Sequence, residues 1–305
     1  MKISIIGAGN VGSLAALRLA QEGLGEIVLV DIVKGLAQAK AFDLEDARPI
    51  LKNNYNICGT DDINGISASD IIVITAGLAR KPGMTREELL SKNAQILKEI
   101  CLDIKKLAPR SIIIVVTNPV DLMAYFVLQT TGFKPQRVFG MGVSLDAARF
   151  ANLISKELNI PDSDIGACVI GSHGEGMLPL PRFTKVKGAT LDKFLDEKKT
   201  GDLVRKTIGR GAEIVSLLGS GSAYFAPSAA ILEIIQAIIK DEKRSIGVSA
   251  YLNGEYGIKG VCIGVPCVLG KQGIEKIIEL ELSPEEKTAF LNSAQAIRQN
   301  LEVLK

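Results

Sequence analysis

The 305-residue chain is 47% hydrophobic and 23% charged, and its 36 lysines and arginines face 34 acidic residues for a formal charge of +2. That apolar content excludes a disordered chain, and the length suits two packed units or one large domain. The even charge balance, the lack of a basic cluster, the 5% aromatic content and the absence of tryptophan argue against a nucleic-acid groove, an anionic-membrane binder or a stacking platform for single strands.

From the N-terminus, residues 2–6 form a short apolar run stopped by Gly7, too brief for a secretory signal. No apolar run is long enough to span a bilayer. Residues 2–6, 27–30, 71–75 and 112–116 read as buried strands. Amphipathic stretches over 11–21, 34–45 and 86–107 lie between them, the last opened by the capping-box pattern Thr85-x-x-Glu88. Continuously apolar strands alternating with helices predict a parallel sheet covered on both faces.

Past Gly140-Met141-Gly142 the pattern changes. A helix is expected over 144–158 and a strand over 165–170. Ile246, Val248, Ala250 and Leu252 alternate with smaller or polar residues, Asn253-Gly254 follows, and a second apolar run covers 261–269. That is a hairpin pattern, so antiparallel strands are expected. Ser283-Pro284-Glu285-Glu286 marks the start of a final helix running to Leu304. The expected fold class is α/β. Residues 1–142 form a Rossmann-type doubly wound parallel sheet, and residues 143–305 an α+β unit with antiparallel strands, with no flexible tether between them.

Five cysteines (Cys58, Cys101, Cys168, Cys262, Cys267) are scattered without a Cys-x-x-Cys pair, and His173 is the only histidine. This argues against a zinc site, so no metal is expected. The thiols read as reduced, buried groups of a cytoplasmic protein.

Gly7-Ala8-Gly9-Asn10-Val11-Gly12 follows a predicted strand and opens a predicted helix. When a pyrophosphate sits on a helix N-terminus, the first glycine permits a tight turn, the second lets the backbone approach the phosphates, and the third lets helix and strand pack closely. Asp31 ends the next strand, 19 positions after Gly12, where a carboxylate can accept hydrogen bonds from the adenosine ribose. It would repel a phosphate on that ribose, which favours NAD over NADP, although Lys34 lies nearby. The competing reading is a glycine-rich turn beside an ordinary surface aspartate.

His173 ends an apolar strand within Gly171-Ser172-His173-Gly174-Glu175-Gly176, where the backbone lies open to a ligand. Histidine exchanges protons near neutral pH, and a nearby carboxylate raises its pKa. A satisfied core histidine is the alternative. Asp146 and Arg149 share a helix face at i and i+3, either as partners for His173 or as a surface ion pair. Asn118-Pro119 follows the fourth predicted strand, at the carboxyl edge where ligands of such sheets bind, or marks a simple turn. Arg80 and Arg86 flank a Pro-Gly pair in the loop after another strand. They are either solvated charges or guanidinium groups that a lid delivers to an anionic substrate.

Taken together, the chain closely resembles the lactate/malate dehydrogenase family along essentially its whole length, and within it the lactate-dehydrogenase-like malate enzymes. The resemblance rests on the glycine turn, Thr75-Ala76-Gly77, the segment from Arg80 to Arg86, Thr117-Asn118-Pro119-Val120-Asp121, Leu145-Asp146-x-x-Arg149 and His173-Gly174. It implies reversible oxidation of (S)-malate to oxaloacetate by hydride transfer to NAD, with His173 exchanging the proton. Asp146 would orient the histidine, Arg149 clamp the substrate C1 carboxylate, and Arg86 polarise the reacting carbonyl when the lid closes. Asn118 would touch both substrate and cofactor, and Asn93, Val116 and Thr117 would contact the cofactor. Arg80 occupies the position that is arginine in malate enzymes and glutamine-like in lactate enzymes. A second substrate carboxylate would pair with it, whereas the methyl of pyruvate would leave the guanidinium unpaired in a closing site.

One departure is that Glu175-Gly176 stands where the family usually has Asp followed by Thr or Ser. The implied partner is a small-molecule substrate, with no nucleic acid and no membrane, and the expected assembly is a homotetramer, with a dimer as the alternative. Competing functions are a lactate or broad 2-hydroxyacid dehydrogenase, an NAD-dependent glycoside hydrolase, and an NAD-sensing protein without turnover.

Overall fold

The computed structural model describes residues 1–78 and 85–302. Six strands, β1 (Lys2–Ile6), β2 (Glu26–Val30), β3 (Asn56–Thr60), β4 (Ile71–Ile74), β5 (Ile112–Val115) and β6 (Val138–Gly140), run parallel in the order β3-β2-β1-β4-β5-β6. The central strands are buried at every position, and their Ile and Val content suits a sheet covered on both faces. Helices α1 (Asn10–Gln21), α2 (Leu36–Leu51), α3 (Arg86–Leu107) and α4 (Val120–Thr131) make the crossovers. The expected capping box closes α3: the Glu88 N–H donates to Thr85 Oγ1 at 3.0 Å, and Glu88 Oε2 accepts from the Thr85 N–H at 3.0 Å. Strand β3 escapes the sequence reading because its Asn, Gly and Thr residues dilute the apolar signal, and β6 because it has only three residues.

The chain continues through α5 (Ser144–Leu158), β7 (Ile165–Gly166), β8 (Val169–Gly171), β9 (Met177–Pro179), β10 (Lys185–Val186) and β11 (Ala189–Thr190). It then passes through α6 (Glu197–Leu218), α7 (Phe225–Ile239), β12 (Arg244–Asn253), β13 (Lys259–Gly270), β14 (Gly273–Ile277) and α8 (Pro284–Leu301). The single strand expected over 165–170 is two. β7 joins a small sheet with β10 and β11, while β8 pairs with β9 and β13. A continuous apolar run cannot reveal that its two ends pair with different partners. The expected hairpin is present as β12 and β13, joined by a short turn over Glu255–Gly257.

β12 lies antiparallel to β6, with Ser249 opposite Gly140, so an 11-stranded sheet continues through both halves of the chain. The principal core follows it from Ile3 to Leu301, and a second core gathers Val143, Phe150, Ile154 and Leu203 around α5 and α6. Helix α7 lies against α1, where Arg18 Nε donates to the buried Ser228 Oγ at 2.9 Å. No helix among the described residues is long and apolar enough to cross a membrane. The reading of the cysteines as uniformly buried needs correction: Cys58 is exposed on the edge strand β3 and Cys168 is half-buried. All five are free thiols, and burial pushes Cys101 up to about 12.

Candidate active site

The site forms where the carboxyl ends of β1, β2, β4 and β5 meet α5 and the loop after β8. At the end of β1, Gly7 has φ +110°, and a Cβ on Gly12 would overlap the Gly7 carbonyl oxygen. Both positions therefore require glycine. Around Gly9 a Cβ would meet nothing within 4 Å, and Gly9, the N-cap of α1, offers no capping side chain. An open glycine cradle at an uncapped helix start fits the diphosphate of a dinucleotide. Gly12→Ala is expected to cost about 1–3 kcal/mol of stability through backbone overpacking and to weaken NADH binding. Urea denaturation and a fluorescence titration read the two effects.

Asp31, half-buried after β2, is fastened to this turn. Its Oδ2 accepts the Ala8 N–H at 2.6 Å and its Oδ1 the Val33 N–H at 2.9 Å. Lys40 Nζ donates to the Ala8 carbonyl at 2.6 Å, so the main chain of Ala8 is gripped on both its N–H and its C=O. Lys40, rather than Lys34, is the lysine against the turn. Its signal is its place on α2 beside the buried Ala37 and Ala41. Asn10 is exposed, whereas Ala8 is buried and Val11 half-buried.

Past β5, Val116 is half-buried, Thr117 buried and Asn118 exposed, and the Asn118–Pro119 peptide is cis. Thr117 Oγ1 donates to the Ala76 carbonyl at 2.6 Å, which ties the end of β5 to that of β4. Asn93 on α3 is fully buried: its Oδ1 accepts the Leu78 N–H at 2.8 Å and its Nδ2 donates to the Asn118 carbonyl at 2.8 Å. Its amide thus braces the main chain on either side of the site. Arg80, and the side chain of Arg86 at the start of α3, lie outside the described residues.

The titratable centre is compact. Asp146, fully buried in the first turn of α5, accepts from Arg149 at 3.0 Å through Oδ1, and its Oδ2 lies 2.7 Å from His173 Nδ1. One carboxylate therefore holds both the ring and the guanidinium, and Nε2 is the ring nitrogen left for a ligand. Burial pulls the His173 pKa down, but the charge and hydrogen bond of Asp146, helped by Asp121 and opposed by Arg149, leave it raised above 6.5. Arg149 packs under Gly211 of α6, where a Cβ would lie in ordinary contact with the guanidinium, 3.4 Å from the nearest nitrogen. The surface-pair reading of Asp146 and Arg149 fails, because Asp146 has no exposure.

The sequence reading gave no role to three residues that hold the histidine loop. Ser293 of α8 accepts the Ser172 N–H and donates to the Gly176 carbonyl, both at 2.9 Å. A Cβ at Gly176 would approach Ser293 Oγ to 3.1 Å, so the glycine leaves room for that hydroxyl. Asp121 of α4 accepts the His173 N–H at 2.9 Å, and Ser249 of β12 donates to Asp121 at 2.5 Å. An acidic residue in the first turn of the apolar helix Val-Asp-Leu-Met-Ala-Tyr-Phe was the available signal for Asp121.

Comparisons with known proteins agree with this geometry. Residues 1–140 match the NAD binding domain of the lactate/malate dehydrogenase family, and residues 143–305 match its alpha/beta C-terminal domain. The chain is 49% identical over 304 residues to a malate dehydrogenase of Methanosarcina mazei, covering 100% of this chain and 99% of that one. The solved malate dehydrogenase of Salinibacter ruber superposes with a TM-score of 0.95 at 40% identity, over 100% of this chain and 97% of that one. A lactate dehydrogenase of Cryptosporidium parvum, complexed with lactic acid and NAD, also gives 0.95, at 35% identity, over 99% of this chain and 97% of the other.

Proposed function

The chain belongs to the lactate/malate dehydrogenase family, and from that premise we propose how its residues carry out the NAD-dependent, reversible oxidation of (S)-malate to oxaloacetate. What supports the chemistry is the Asp146 carboxylate, bound to both His173 and Arg149 with no exposure to water. What supports malate over lactate is Arg80, together with relatives at 49%, 48% and 46% identity that are malate dehydrogenases.

Residues 1–142 supply the dinucleotide cradle: Gly7 to Gly12 for the diphosphate, Asp31 for the adenosine ribose, and Asn93 with Val116, Thr117 and Asn118 for the nicotinamide end. When bound there, NAD accepts or returns the hydride of substrate C2. Residues 143–305 supply the proton carrier. In malate oxidation neutral His173 takes the C2 hydroxyl proton at Nε2 while Asp146 accepts the Nδ1–H and stabilises the imidazolium. In oxaloacetate reduction the protonated ring donates from Nε2. Arg149 holds the C1 carboxylate through the donors not given to Asp146, and Asn118 orients the reacting oxygen. Arg86 polarises that oxygen, and Arg80 pairs with the second carboxylate.

Five free thiols support a cytoplasmic, reducing setting. Exposed Phe42 and Ile50 on α2, Leu217 on α6 and Phe225 on α7 are apolar surface of the kind that subunits bury, which supports self-association, and the assembly we propose is a homotetramer. Light scattering on the purified protein distinguishes it from a dimer.

The decisive assay follows NADH oxidation with oxaloacetate and with pyruvate, each repeated with NADPH. Rapid turnover only with oxaloacetate and NADH is expected. Faster pyruvate reduction would overturn the substrate assignment, and silence with both acids would favour an NAD-sensing protein. Arg80→Gln is expected to lower the oxaloacetate-to-pyruvate preference at least about tenfold, since every ~1.4 kcal/mol of unpaired charge is one order of magnitude. An unaltered ratio removes Arg80 from substrate selection.

A further inference from the structure

Asp121 is a carboxylate that the proton transfer described above does not use, and it is only 3% exposed. Such a group is tolerated in the interior when its oxygens are satisfied. Its Oδ2 accepts the His173 main-chain N–H at 2.9 Å and the Ser172 hydroxyl at 3.0 Å, and its Oδ1 accepts the Ser249 hydroxyl at 2.5 Å. Asp121 lies three residues after Asn118, in the first turn of α4. A single buried side chain thus joins the turn that carries Asn118, the loop that carries His173, and strand β12.

We propose that Asp121 is a positioning residue for the reaction, anchoring the His173 main chain to the segment that presents Asn118 and setting the charge behind the ring. The inference rests on His173 being the proton carrier. Two substrate-facing groups on different halves of the chain must keep a fixed separation, and errors of an ångström there are costly to rate. Ser293 secures the same loop from α8, but through Ser172 and Gly176 rather than through His173 itself.

Among the described residues, the charged groups acting on His173 are Asp146 and Arg149 from α5 and Asp121 from α4, while β12 and α8 contribute the uncharged Ser249 and Ser293. Around Asp121 the charge comes from His173, with the buried Cys262 thiol of β13 also nearby. Burial pushes the Asp121 carboxyl up, against the pull of Ser249, the His173 N–H, the His173 charge and Ser172. Its anion stabilises the protonated His173 ring, so removing it lowers the histidine pKa.

Asp121→Asn tests this with little change of shape. The amide oxygen can accept from His173 and Ser172 while the amide nitrogen donates to Ser249, so the contacts persist and the charge is lost. NADH affinity and the melting temperature are expected to stay near wild type. The inflection of kcat/KM for malate, which rises as His173 loses its proton, should move to lower pH by roughly half to one unit. Oxaloacetate reduction, which needs the proton, should fall about three- to tenfold near neutrality. A purely structural carboxylate would alter the melting temperature and leave the inflection in place.

If Asp121→Asn does not fold, Ser249→Ala and Ser172→Ala carry the test. Each removes one contact and is expected to lower kcat a few-fold, on the order of one hydrogen bond, without changing NADH affinity. Variants that match wild type in turnover and inflection overturn the role of Asp121. Wild-type turnover with malate is the control: its absence would overturn the functional reading, and this inference with it.

Discussion

His173→Asn is expected to abolish most turnover in both directions while leaving NADH affinity near that of wild type. The loss is expected to be on the order of 10²–10⁴-fold, the usual contribution of a positioned acid–base group. An asparagine amide can still face Asp146, so the buried carboxylate keeps a donor and the fold is spared an orphaned charge. What the amide cannot do is exchange a proton near neutral pH. The glycine turn and Asp31, the proposed diphosphate and ribose contacts, are held by hydrogen bonds among Ala8, Asp31, Val33 and Lys40, none of which runs through the histidine. Steady-state kinetics with oxaloacetate and malate, beside a fluorescence titration with NADH, separates the two effects. Turnover like that of wild type would remove His173 from the mechanism.

Asp146→Asn is expected to be nearly as damaging, and its pH profile carries the diagnostic. In the intact protein burial lowers the His173 pKa, Asp146 and then Asp121 more than restore it, and Arg149 lowers it. Because the balance raises it, the ring holds its proton to higher pH than a free imidazole would, which favours oxaloacetate reduction. Malate oxidation, which needs the neutral ring, gains as pH rises through the raised value. Without Asp146 the burial and the Arg149 charge are opposed by Asp121 alone, so the pKa falls. Reduction should then fall about 10²-fold or more near neutrality, with its descending limb displaced to lower pH. The amide also permits the wrong ring tautomer, which costs oxidation too. A profile whose inflection does not move would exclude Asp146 as the source of the shift.

The same linkage bears on stability. A His173 pKa raised by folding contributes stability that is fully present below about pH 6.5 and is lost as pH rises through the folded value. Asp146→Asn should remove that acid-side gain, which thermal melts between pH 5 and 9 would read.

The amino-acid sequence by itself determined the parallel sheet, because Ile- and Val-rich runs alternating with amphipathic stretches can bury themselves in few other ways. It also determined the glycine cradle with Asp31 at the end of the next strand, and the helix face shared by Asp146 and Arg149, since each depends on spacing within one or two neighbouring elements. Tertiary structure alone decided that Asp146 is buried and reaches His173, 27 positions away, at 2.7 Å. It decided that Lys40 grips the cradle, that Asn93 serves the main chain on two sides, and that 165–170 divides between two sheets. Asp121 makes the contrast plain. Its place in the first turn of α4 is local and legible, but its partners Ser172, His173 and Ser249 lie 51, 52 and 128 positions away. Periodicity records which face of an element is buried, and it carries no information about which distant hydroxyl or amide meets a carboxylate there. Those meetings arise only when strands from both halves close into one sheet.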